Sequence, residues 1–257
     1  MFALSSGRLG GCRVATLVID IGNTLLSWRF RDRSGDLRFG TASHRAISDA
    51  LDDLPEAQTI AISSVQPAHE SELENWLAHS GCSEPIWIRS GADLASNVLT
   101  DEPQNTGADR ALCALAWGAV SEGHPAVIID AGSAVTVDAV SADGQLLGGW
   151  IAPGLHSLAN GLQQAVPSLP DAGEASDEDA WGKDSSCSIR GGIDTLFIGG
   201  VEALRDRVLK GLGADAVTVV TGGDSQLLVA SVPGVIHKPQ LVLDGLEVLL
   251  NGNREDA

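Results

Sequence analysis

One pattern occurs twice in this chain and constrains its fold more than any other feature. Thr16-Leu-Val-Ile-Asp20-Ile-Gly22-Asn23-Thr24 and Ala126-Val-Ile-Ile-Asp130-Ala-Gly132-Ser133-Ala134 each run from an apolar, β-branched stretch into Asp, a variable residue, Gly and a small residue. A second strand-like stretch follows each copy, at residues 25–30 and 135–140. Each then meets a glycine-containing turn, Arg33-Ser34-Gly35-Asp36 or Ser141-Ala142-Asp143-Gly144. Strand, tight turn, strand and hairpin, repeated in that order, describe two similar halves. Around them, residues 59–63, 86–88 and 216–220 read as strands, and residues 70–79, 108–120, 156–165, 193–209 and 241–250 have helical spacing. Such alternation is the pattern of an α/β fold. The expected organisation is a disordered lead-in over residues 1–15, an N-terminal half over 16–122 and a C-terminal half over 123–257. The acidic, proline-flanked stretch 167–179 reads as the longest loop.

A chain of 257 residues can bury a full core. Its charge excludes several partners. Thirty-four acidic residues against 16 basic ones leave a net charge of -18, and only Lys183, Lys210 and Lys238 are lysines. That field repels polyanions and argues against nucleic-acid or anionic-membrane partners. Any phosphate bound here must therefore meet backbone N–H groups, hydroxyls, a few arginines and a metal ion. No apolar run reaches the roughly 18 residues of a membrane span, and residues 1–13 lack the apolar run of a signal peptide. Cys12, Cys82, Cys113 and Cys187 form no C-x-x-C pair and read as reduced thiols of a cytoplasmic protein.

An Asp at the carboxyl end of a buried strand, followed by Gly and a hydroxyl or amide, suits a phosphate chain. The glycine lets the backbone approach, its neighbours turn donors toward the oxygens, and the carboxylate holds Mg²⁺ or its waters. A single copy would read as an Asx-type turn closing a hairpin; two copies on matching strands read as a bipartite phosphate clamp. Other phosphate motifs are excluded. There is no P-loop, since Gly182-Lys183-Asp184 lacks the spacing, and Gly211-Leu-Gly213-Ala-Asp-Ala216 follows a helix where a dinucleotide fingerprint must follow a strand. Thr106-Gly107-Ala108-Asp109-Arg110 opens a helix. It reads either as an anion or substrate site or as an ordinary cap with Asp109 complementing the helix dipole. Arg110 beside Asp109 is expected to lower the Asp109 pKa. Gly148-Gly149-Trp150-Ile151-Ala152-Pro153-Gly154 places two flexible points around a strand end, ahead of His156, which reads as an ordinary surface or core histidine. Thr221-Gly222-Gly223 reads equally as a place where a nucleotide base or ribose lies against bare backbone and as an ordinary strand-to-helix turn.

Taken in order, these segments resemble the type III pantothenate kinase family of the acetate and sugar kinase, Hsc70 and actin superfamily. The carriers are Asp20-Ile-Gly22-Asn23-Thr24, Ser63-Ser64-Val65-Gln66-Pro67, Gly107-Ala108-Asp109-Arg110, Asp130-Ala-Gly132-Ser133-Ala134-Val-Thr136, Gly148 to Gly154, Gly182-Lys183-Asp184-Ser185 with Gly192-Ile193, and Thr221-Gly222-Gly223. The resemblance implies duplicated ribonuclease H-like (actin-like ATPase) halves with a cleft between them, and ATP-dependent phosphorylation of pantothenate, the first step toward coenzyme A. By position it implies that Asp20, Gly22, Asn23 and Thr24 form the first phosphate motif and Gly132, Ser133 and Thr136 the second. Asp109 becomes the base, and Thr100, Gly107 and Arg110 face the substrate, with Ser185 reaching it from the partner of a homodimer. The implied cofactors are Mg²⁺, held by Asp20 directly or through water, and a monovalent cation, potassium or ammonium, at Asp130. The chain departs from the family at Ser133 and Ser185, where Thr is usual, at Asp184 in place of Asn, at Leu25, and at Thr100, where many members carry Tyr. A non-catalytic relative that binds nucleotide or pantothenate and regulates another process is the rival that these departures favour.

Overall fold

The computed structural model describes residues 14–81, 84–173 and 180–252; most of the expected lead-in, Cys12, Cys82 and the end of the 167–179 loop lie outside them. The two copies of the repeat start two sheets of the same design. In the first, β1 (Thr16–Ile21), β2 (Leu26–Arg31), β3 (Leu37–Ala42), β4 (Thr59–Ser64) and β5 (Ile86–Ile88) lie in the order β3-β2-β1-β4-β5. In the second, β6 (Ala126–Ala131), β7 (Ala134–Val140), β8 (Leu146–Pro153), β9 (Val217–Thr221) and β10 (Val235–His237) lie in the order β10-β9-β6-β7-β8. Each sheet carries an antiparallel three-strand meander followed by two parallel strands on the far side of the first strand. The strand order is thus the same in both copies. The helices are α1 (Ile47–Leu51), α2 (Glu70–Leu77), α3 (Ala108–Gly118), α4 (Leu155–Ala165), α5 (Ser185–Leu212), α6 (Ser225–Ser231) and α7 (Leu241–Gly252).

Alternation along the strands sorts the cores. Leu17, Ile19 and Ile21 of β1 point with Leu26, Trp28 and Phe30 of β2 to the face covered by α1 and α2 through Ile47, Leu51, Leu73 and Leu77. In the second sheet Val127, Ile129, Val135, Val137 and Val220 pack with Phe197, Val201 and Val208 of α5. The even-numbered residues of β1, among them Val18 and Asp20, therefore face the opposite side of the first sheet. The described residues divide into two compact units. One runs up to Leu94 and adds Gln104–Leu112 and the residues from Val242 on; the other comprises Ala95–Pro103 and Cys113–Leu241. Within the first unit α7 is tied to β2. Arg29 is buried, and its Nη1 donates to Asp244 at 2.7 Å, while Arg31 Nη2 donates to Glu247 at 2.8 Å. A buried guanidinium needs such carboxylates more than it adds stability, so these pairs select where α7 docks.

Candidate active site

The first turn stands at the end of β1, where Asp20 faces Ser27 of β2 and Ser63 of β4 across the register. Ser63 Oγ donates to Asp20 Oδ1 at 2.5 Å. Burial pushes the Asp20 carboxyl up to about 7; the Ser63 hydrogen bond opposes the rise and the charge of Asp109 adds to it. The Gly22 N–H closes the turn onto the Leu25 carbonyl at 3.1 Å, leaving Asn23, Thr24 and Leu25 exposed. Gln66 Nε2 donates to Asn23 Oδ1, so the residues after β4 brace the turn. Behind it, the His44 ring stacks on His69 with centroids 3.9 Å apart, beside the backbone of Gly22 and Asn23. Burial and the His69 ring hold the His44 pKa below its usual value.

The same unit brings Asp109, in the first turn of α3, within electrostatic reach of Asp20. Its Oδ1 accepts from the Arg110 backbone N–H at 2.8 Å. The lowered pKa expected from Arg110 is not what the structure gives. Burial raises the Asp109 pKa and outweighs both that N–H and the guanidinium charge. A Cβ at Gly107 would overlap Asp109 Oδ1 and force this carboxylate to shift. The Thr106 carbonyl accepts from the Gly91 N–H at 2.8 Å and so anchors the approach to α3.

The second turn repeats the first. Asp130 closes β6, facing Thr136 of β7 and Thr221 of β9, and the Gly132 N–H closes onto the Ala134 carbonyl at 3.0 Å. Ser133 is exposed, and its carbonyl accepts from the Gly154 N–H at 3.1 Å and from Ser157 Oγ at 2.5 Å. The Thr221-Gly222-Gly223 segment lies directly against the turn: the Asp224 N–H donates to the Ala131 carbonyl at 2.9 Å, and Gly222, with φ of 92°, has no room for a Cβ beside Asp130. Thr136 Oγ1 donates to the buried Asp138 Oδ2 at 3.0 Å. Ser185 is exposed as the first residue of α5, whose start is capped by Asp184 accepting from the Cys187 N–H at 2.9 Å. Asp184 thus performs the capping that an Asn at this position would perform. Thr100 is half-buried in the short segment of the second unit that precedes α3.

Sequence reasoning missed the partners of these turns: Ser63 and Gln66, Ser157, the His44–His69 stack and Asp138. Ser63 and Gln66 lay inside a recognised segment without an assigned role, and the strand register alone could have placed Ser63 beside Asp20. Among the described residues, no three His, Cys, Asp or Glu side chains gather as a metal-binding group. The donors at Asp130, Thr136 and Thr221 are all oxygens, which suits a hard cation.

Two sheets of identical strand order, each ending its first strand in an Asp-x-Gly turn, define an actin-like ATPase fold. Three of the solved structures that share it show the likeness. A conserved Baf family protein of Campylobacter jejuni superposes with a TM-score of 0.60 at 23% identity, over 93% of this chain and 99% of that one. The activator of 2-hydroxyisocaproyl-CoA dehydratase from Clostridium difficile, holding ADPNP, gives 0.54 at 15% identity, over 95% and 98%. MreB5 of Spiroplasma citri, bound to ADP, gives 0.51 at 12% identity, over 95% and 99%. Within this fold the chain belongs to the type III pantothenate kinase family, whose model matches residues 16–207. The type III pantothenate kinase of Acidiphilium cryptum is 33% identical, over 91% of this chain and 93% of its own. That of Thiobacillus denitrificans is 32% identical, over 93% and 96%.

Proposed function

We propose that this protein transfers the γ-phosphoryl group of ATP to the primary hydroxyl of pantothenate, with Asp109 as the group that receives the hydroxyl proton. The observation that carries this reading is the convergence of Asp109 with Asp20, the carboxylate of the first phosphate turn, each with a pKa raised by burial. Phosphoryl transfer passes through a loose transition state, so the protein must mainly align the attacking hydroxyl and neutralise charge. A carboxylate whose pKa is raised toward the working pH aligns the hydroxyl and also accepts its proton more readily than an ordinary Asp. Arg110, Gly107, Thr100 and, from a second copy, Ser185 bind the acid.

Asn23, Thr24 and Ser133 are the exposed donors of the two turns, and the Gly22 and Gly132 N–H groups are spent in closing them. Because Gln66 occupies the Asn23 side-chain oxygen, the Asn23 amide nitrogen is left to meet phosphate. Asp20 fits Mg²⁺, directly or through water: a half-buried carboxylate with a raised pKa is stabilised as an anion by a cation. Mg²⁺ supplies charge neutralisation on the transferred phosphoryl group. Asp130 holds a potassium or ammonium ion. The protein acts in the cytoplasm as a homodimer. In support of the dimer, α5, which begins at Ser185, exposes Gly192, Thr195, Leu196, Gly199 and Gly200 on one face, with Leu196 70% exposed. ADP production by the purified protein, measured with Mg²⁺ and potassium, should require pantothenate. Nucleotide binding without pantothenate-dependent turnover would instead support the non-catalytic relative.

A further inference from the structure

We propose that Asp138 is a positioning residue that turns Thr136 into a hydrogen-bond acceptor, so that Thr136 Oγ1 and the Asp130 carboxylate together face a cation rather than a phosphoryl oxygen. The inference rests on reading Asp130 to Thr136 as part of the nucleotide site. A hydroxyl has one proton to give and two lone pairs. Thr136 Oγ1 donates to Asp138 Oδ2 at 3.0 Å, so the proton of Thr136 is committed to it. What Thr136 presents elsewhere is then lone pairs. Register puts Thr136 directly opposite Asp130, and cross-strand partners share a face, so two oxygen acceptors stand side by side. That pair repels a phosphate oxygen and suits a hard cation.

The sheet is built to keep Asp138 there. Asp138 is 2% exposed, between Val137 and the largely buried Ala139 and Val140. Burying a carboxylate in such a strand is unfavourable unless its hydrogen bonds are made. Opposite it on β8 stands Gly149, where a Cβ would overlap Asp138 Oδ1. A Cβ at Gly149 would also meet the Val137 carbonyl oxygen and the Asp138 Cα, so the two strands approach closely at this position.

The test is calorimetric titration of a non-hydrolysable ATP analogue with Mg²⁺, in potassium and in tetramethylammonium buffer, for wild type, Asp138→Asn, Thr136→Val and Thr136→Ser. Wild type should bind more tightly in potassium by about 5- to 150-fold, the usual size of coupling between two ligands. Asp138→Asn, whose amide can donate to Thr136 and release the hydroxyl proton, should lose that gain while still binding in tetramethylammonium. Thr136→Val should lose it likewise, and Thr136→Ser should keep it. Should Asp138→Asn fail to fold, the two Thr136 variants decide. An undiminished potassium gain in Asp138→Asn or Thr136→Val, or equal wild-type affinity in the two buffers, would overturn the proposal. Absence of nucleotide binding in both buffers would overturn the reading it rests on, and the proposal with it.

Discussion

Burial sets the behaviour of the two carboxylates in the first unit. For Asp20 the ordinary value is 3.8 and the folded value about 7, so between those limits the folded protein binds the extra proton. Its contribution is therefore most favourable below about pH 4 and is lost as pH rises through about 7. Asp20→Asn removes the charge but keeps the acceptor for Ser63. The variant should melt above wild type at pH 8 and equal to it at pH 4 when scanned without nucleotide or divalent cation, and it should bind nucleotide more weakly at both. Asp109 is shifted in the same direction. Its turnover should fall as pH drops through a value above the ordinary carboxylate range, seen as the acid limb of kcat/KM for pantothenate. Asp109→Asn should lower kcat by about 10² to 10⁴ with little change in nucleotide affinity; near-normal kcat would reduce Asp109 to a helix-dipole carboxylate. The identity of Asp109 as a candidate was legible in its motif, but the sign of its shift was not. Arg110 is its neighbour in sequence, whereas the burial that outweighs it is a property of the folded chain.

At the scale of elements, legibility followed apolar patterning. The strands carrying the two turns are continuous apolar runs, buried at nearly every position, that end at Asp-x-Gly, and their expected spans match the observed ones closely. β3 has no such signal. It is an edge strand with Leu37 and Phe39 exposed, so nothing forces an inward and outward alternation. Helix α5 begins at Ser185, well before the start expected at 193. Gly191 and Gly192 interrupt the apolar spacing, yet the helix runs through them because Asp184 caps its start and Ile193, Phe197 and Val201 anchor it on the second sheet. Asp184→Ala should lower the melting temperature by leaving the Cys187 N–H without its acceptor, while Asp184→Asn, which still accepts, should leave it near wild type. Equal melting of the three proteins would mean that the cap does not hold this end of the helix.

For the whole molecule the prediction is assembly. Light scattering should give twice the chain mass of 26.5 kDa, and Leu196→Asp, which puts a charge in the middle of the exposed α5 face, should give monomers with pantothenate KM raised if Ser185 serves a neighbouring copy. A fully active wild-type monomer would sink this. No described helix is long and apolar enough to cross a membrane. By itself the sequence determined the duplication, the α/β class, the two Asp-x-Gly turns and the family. These depend on local order: an apolar, β-branched run along a strand, and a glycine at a fixed distance from an Asp. Only the tertiary structure decided which groups serve those turns. Ser63 reaches Asp20 because β4 pairs with β1, and α7 returns to the first unit because Arg29 on β2 is buried against Asp244. Asp138 accepts from Thr136 inside the second sheet, buried opposite Gly149 of β8. Each of these rests on burial and contact between distant residues, quantities that no stretch of sequence contains.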